Sequence, residues 1–151
     1  MTDSEPARGR EQRRQDVLTR LKQDTDAWIA TASADGEPCL VPLSFVWDRD
    51  TVLMCTRRTN PTARNLTRRG QAVVTVGHTR DVVLIEGTGE VVEGAELATE
   101  SADAFSAKLG WDPRDRGAWV YLRVTPQVVK AWREQNELAE RELMRHGEWL
   151  V

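Results

Sequence analysis

Met54-Cys55-Thr56-Arg57-Arg58-Thr59-Asn60-Pro61-Thr62-Ala63-Arg64-Asn65-Leu66-Thr67-Arg68-Arg69 changes character twice over a short distance. It opens as the end of an apolar, β-branched run from Thr51 to Thr56, which reads as a strand. A hydroxyl-rich turn follows. Asn60 is then a good N-cap and Pro61 suits the first helical position, so a short helix is expected from Pro61 to Arg68. Turn and helix carry Arg57, Arg58, Arg64, Arg68 and Arg69, with no acid between positions 57 and 69. A helix N-terminus offers unpaired N–H groups and positive potential. Arginine adds forked donors that match phosphate oxygens, and Thr56, Thr59 and Thr62 add hydroxyls. Two readings stand side by side: a phosphate cradle, or a solvated basic helix with an ordinary cap.

Outward from this stretch the chain is mostly β. Trp28–Ala32, Leu40–Trp47, Ala72–Val76, Val82–Val92 and Ala118–Val124 read as further strands, the last resuming after Pro126 as Val128–Trp132. Turn signals separate them, among them Asp35-Gly36, Asp48-Arg49-Asp50, Arg69-Gly70 and Thr79-Arg80-Asp81. Helical spacing marks Arg13–Gln23, and Ala95–Leu109 is a second helix stopped by Gly110. A last helix is expected from Glu134 to Met144. This gives a loose tail at 1–12, one barrel domain at 13–132, and a helical tail at 133–151 docking on the barrel or a partner subunit. The fold class is mainly β (α+β), a small antiparallel barrel with short peripheral helices.

The 151 residues suit one domain, and a formal net charge of −3 argues against a nucleic-acid binder driven by bulk charge. Two cysteines exclude a disulfide-dense scaffold, and no His/Cys/Asp/Glu cluster has metal-ligand spacing. No apolar run is long enough for a membrane span, and the N-terminus lacks an apolar signal core, so a cytoplasmic protein is expected. No P-loop or complete glycine-rich dinucleotide loop is present. Cys39 and Ser44 have no recognisable partner base. Any catalysis therefore depends on a bound organic cofactor, and no catalytic side chain is named. Pro42 inside Cys39–Trp47 marks an edge, a bulge or a docking place; the peptide groups of Val41, Pro42, Leu43 and Ser44 then either face a planar ligand or form a plain edge. Arg80 either reaches an anion or pairs with Asp81. The six tryptophans are expected as core or interface anchors.

These segments, in this order, resemble the pyridoxamine 5'-phosphate oxidase-like split-barrel superfamily, near the actinobacterial reductases that use the deazaflavin coenzyme F420. The likeness rests on Ala27–Ser33, Asp35-Gly36, Val41-Pro42-Leu43-Ser44-Phe45, Thr56, Arg64-Asn65-Leu66, Glu86-Gly87-Thr88-Gly89-Glu90 and Tyr121–Pro126, and it spans about Asp26 to Trp132. It implies a six-stranded antiparallel split barrel that forms a homodimer with cofactor sites at the interface. It implies FMN or coenzyme F420, no metal, and a small-molecule substrate, with no nucleic-acid or membrane partner. The phosphate is then expected at Thr56, Arg57, Arg58, Thr59, Thr62, Arg64 and Asn65, the ring along Val41 to Ser44, and Arg80 at a further anionic contact. Many relatives carry a lysine where this chain has Thr62, which leaves Arg57, Arg58 or Arg80 to supply the missing cation. Abundant Arg and Ala with little Lys favour the deazaflavin, whose oligoglutamate tail would meet Arg68 and Arg69. The implied activity is hydride transfer between the cofactor and a small organic substrate. The alternative is a non-catalytic module that sequesters a flavin, haem or similar planar anion, with His78 or His146 as the axial ligand to haem.

Overall fold

A computed structural model describes residues 5–151. Its elements in chain order are α1 (Arg10–Gln23), β1 (Asp26–Ala32), β2 (Pro38–Asp48), β3 (Thr51–Arg57), α2 (Pro61–Arg68), β4 (Gln71–Val76), β5 (Val82–Val92), α3 (Thr99–Leu109), β6 (Trp119–Trp132), β7 (Glu142–Arg145) and β8 (Glu148–Trp149). The sheet runs β3-β2-β1-β4-β5-β6, all antiparallel, and β6 closes back on β3. The result is a closed six-stranded split barrel, extended beyond β6 by β7 and β8.

Alternation builds the interior. Ile29 of β1, Val74 of β4, Ile85 of β5 and Phe45, Val52, Met54, Leu122 and Val124 are fully buried. Each such side chain contributes roughly 1.5–3 kcal/mol relative to exposure. Val17 and Leu21 of α1 join this core, and so do Ala63 and Leu66 of α2. A second cluster joins Val46, Leu53, Cys55 and Tyr121 to Ala102 and Phe105 of α3.

Three expectations change. The strand predicted in two pieces around Pro126 is one strand of 14 residues. Pro126 lies opposite Gly87 at a register shift between Glu86 and Gly87, so the irregular ladder absorbs its missing N–H. The helix expected over Glu134–Met144 is instead a 3-10 turn at Gln135–Glu137 followed by β7, because Met144 pairs with Val129 and buries Leu143. The loose tail expected at 1–12 is shorter: α1 starts at Arg10 and Arg8 bonds Glu137, while residues 1–4 lie outside the described ones. No helix among the described residues is long and apolar enough to cross a membrane.

Candidate functional site

The barrel divides at β2. Pro38–Ser44 pair with β1, and Phe45–Asp48 pair with β3. The Phe45 N–H bonds to the Thr25 carbonyl at 2.9 Å, and Leu43, Val41 and Cys39 follow in register opposite Ala27, Ile29 and Thr31. These residues turn their peptide groups toward β1. Leu40, Pro42 and Ser44 turn theirs the other way, beyond the last β2–β3 pair. Pro42 therefore gives up no ladder bond. The Ser44 hydroxyl is committed to the Asp26 carboxylate at 2.9 Å.

α2 sits at this division, packed against β1, β2, β3 and β5. Thr62 is buried, with its hydroxyl 3.8 Å from the Cys39 sulfur, so the start of α2 lies against the half of β2 that β3 leaves open. The buried Asn65 donates through Nδ2 to Thr31 Oγ1 at 3.0 Å, and Leu66 lies over Gly89. At Gly89 an added Cβ would stand 2.7 Å from Leu66 Cδ2, so glycine permits this close seat.

Asn60 precedes α2 but does not cap it. Its Nδ2 donates instead to the buried Thr56 hydroxyl at 2.9 Å. Among the described residues no side chain takes the first N–H groups of α2, and Pro61 at the start has none to offer. Arg64 turns back and donates to the Thr59 carbonyl through Nε at 3.0 Å and Nη2 at 2.6 Å. Thr56, Thr59, Thr62, Arg64 and Asn65 are thus gathered around the first turns of α2, with Val41–Leu43 on the neighbouring strand.

The other predicted cations are placed differently. Arg57 lies over the Trp119 ring, 4.8 Å from its centroid. Arg58 turns to Glu93 and the Gly117 carbonyl. Its hydrogen bonds hold the Glu93 carboxyl below its ordinary range against an opposing desolvation. Arg80 sits in the β4–β5 turn and pairs with Glu134 at 3.0 Å, not with Asp81, whose carboxylate meets Arg20 and Arg133. It lies at the end of β4 away from α2. Sequence reasoning passed over Thr31, Glu93 and the Gly117 carbonyl. Glu93 is 35 positions from Arg58, and no local pattern announces such a pair.

Burial pushes the Cys55 thiol up to about 12, which removes it as a nucleophile. No group of His, Cys, Asp and Glu among the described residues is arranged to hold a metal ion. His78 and His146 are exposed, in the β4–β5 and β7–β8 turns.

Fold and site define a class: a split barrel in which the half of β2 not paired with β3 meets a helix start rich in hydroxyls and arginine. The pyridoxamine 5'-phosphate oxidase family model matches residues 14–133, and the chain belongs to that family. Comparison with curated proteins gives no match. A FAD-binding protein from Mesorhizobium loti superposes with a TM-score of 0.64 at 17% identity, over 78% of this chain and 90% of its own. A protein described as an F420 reductase superposes at 0.58 and 19% identity, over 74% and 93%. A haem-binding protein from Mycobacterium smegmatis gives 0.66 and 17%, over 96% of this chain and 60% of its own. At these identities the likeness is one of fold.

Proposed function

We propose that the chain is a flavin- or deazaflavin-dependent oxidoreductase, acting as a cytoplasmic homodimer on a small organic substrate. The observation that carries this reading is the contact of Thr62 with Cys39, which sets an uncapped helix start against the open half of β2. The residues fit a phosphate-bearing planar cofactor. The N–H groups of Thr62 and Ala63, the Thr59 hydroxyl and Arg64 would take the phosphate. The open edge at Leu40, Pro42 and Ser44 would border the ring. Asn65 and Thr56 act one step back, fixing α2 to β1 and the turn to β3.

FMN or coenzyme F420, when bound, supplies the hydride chemistry. The protein's share is to bind, orient and shield. The homodimer reading is supported by the outer face of β1 and β2, where Trp28 is 48% and Leu40 61% exposed beside Pro42. Exposed apolar groups of this size on one face mark a surface that another body covers. The sequence composition favours the deazaflavin, and a protein described as an F420 reductase shares the fold.

The test is cofactor titration of the stripped protein beside its Arg64→Glu variant. A charge reversal at a phosphate contact is expected to weaken affinity by about tenfold or more. Equal affinity in the two proteins would remove α2 from the site.

A further inference from the structure

Arg58 is the member of the basic stretch most engaged with the protein itself. Its backbone N–H bonds to the Ala118 carbonyl at 2.9 Å. Its guanidinium pairs with both Glu93 oxygens, with Nη2 to Oε2 at 2.8 Å. Nε and Nη2 also donate to the Gly117 carbonyl at 3.3 and 3.0 Å. All three guanidinium nitrogens are thereby used. Glu93 follows β5 and Gly117 precedes β6, so this one side chain joins three connections of the fold.

Resting on the cofactor reading above, we propose that Arg58 and Glu93 are a positioning pair for the cradle and that Arg58 is not a phosphate ligand. The turn from Arg57 to Asn60 is exposed, and its shape decides where Thr59 and the first N–H groups of α2 point. Ordering a loop before binding spares the ligand that entropic cost. The clamp does this from outside the cradle. It also neutralises the Glu93 carboxylate, which would otherwise repel an incoming anion. Both side chains are about half exposed, 46% and 44%, so the pair adds little to global stability. A variant of the pair would disturb the geometry of the turn and not the fold.

The two possible roles of Arg58 give opposite signs. If Arg58 were a phosphate ligand held back by Glu93, Glu93→Gln would free it and tighten FMN. Arg58→Lys would then keep most of the affinity, since lysine also serves phosphate as a point charge. As a positioning pair, both variants weaken FMN by about tenfold through lost preorganisation. Riboflavin, which lacks the phosphate, stays within about twofold, because the clamp acts on the phosphate end alone. The same comparison runs with coenzyme F420 and its phosphate-free deazaflavin chromophore. Kd values for each ligand are measured by fluorescence titration, with the unfolding midpoint of each variant as the fold control. Tighter or unchanged FMN and coenzyme F420 binding in Glu93→Gln overturns the proposal. So does a parallel loss of phosphorylated and phosphate-free ligand, or a collapsed midpoint in both variants. A parent protein that binds neither cofactor fails earlier: it overturns the cofactor reading, and the positioning role with it.

Discussion

Arg8 and Glu137, 129 positions apart, close the two ends of the chain onto each other. The Arg8 backbone N–H and Nε both reach Glu137 Oε2 at 3.0 Å, and Nη2 reaches Oε1 at 2.7 Å. The Arg133 N–H adds a bond to Oε1 at 3.0 Å, and Arg8 Nη1 holds Asp16 at 2.8 Å. Beside them the buried Arg13 donates to the Ala131 and Glu137 carbonyls. This polar knot replaces the helix expected at the C-terminal end and fastens α1 to it.

The knot predicts an acid-sensitive stability. Hydrogen bonds from Arg8 lead in lowering the Glu137 carboxyl from 4.5 to about 2, against an opposing desolvation. A carboxyl that titrates lower when folded stabilises the fold above its unfolded pKa and loses that contribution as pH falls through its folded one. The loss therefore lies between about 4.5 and about 2. Thermal midpoints across that window should fall for the parent. Glu137→Gln should begin lower at neutral pH and decline less steeply. Parallel curves for the two proteins would show that Glu137 does not carry this dependence.

Two neighbouring glycines should differ in cost. At Gly87 an added Cβ would stand 2.5 Å from the Thr125 carbonyl oxygen, which belongs to backbone in the β6 ladder. At Gly89 the obstacle is the end of the Leu66 side chain at 2.7 Å, which can move. Gly89→Ala is expected to cost about 1–3 kcal/mol of unfolding free energy. Gly87→Ala should cost more by denaturant titration. The reverse order would contradict the packing described.

Pro42 faces the open edge of β2 without a ladder bond to lose. Pro42→Ala should change stability by about 1 kcal/mol or less. A loss of several times that amount would mean that the proline does more than occupy an unpaired edge.

Asn65 and Thr31 tie α2 to β1 through one buried hydrogen bond. Asn65→Ala leaves the Thr31 hydroxyl without that donor, at an expected cost of about 1–3 kcal/mol. Thr31→Val with Asn65→Leu removes both partners and should recover part of it. A double variant as unstable as the sum of the singles would show that the pair does not act as a unit.

The barrel was legible because its strands are short apolar, β-branched runs and Gly or Asp turns separate them. α2 was legible because Pro61 suits a first helical position, although the Asn60 side chain goes to Thr56 and not to a cap. The end of the chain was not. Glu134–Met144 has helical charge spacing, but Met144 finds a strand partner in Val129, and a tertiary pairing outweighs local propensity. Pro126 looked like a break because the irregularity that accommodates it, with Glu86 opposite Val128 and Gly87 opposite Pro126, exists only once β5 and β6 pair. At the candidate site the residue types were readable and their commitments were not. Arg57, Arg58 and Arg64 looked equally free in the sequence, yet an indole ring, a distant carboxylate and a local carbonyl engage them.

The most direct measurement is an equilibrium titration of the cofactor-stripped protein with FMN, coenzyme F420 and haem, read by tryptophan quenching and absorbance. FMN or coenzyme F420 should bind with a Kd of about 1 μM or tighter, equivalent to about 8 kcal/mol. Haem should bind more weakly than whichever of the two is preferred. Binding of haem alone, or of none of the three, would contradict the assignment of the α2 start and the open half of β2 as a flavin or deazaflavin site.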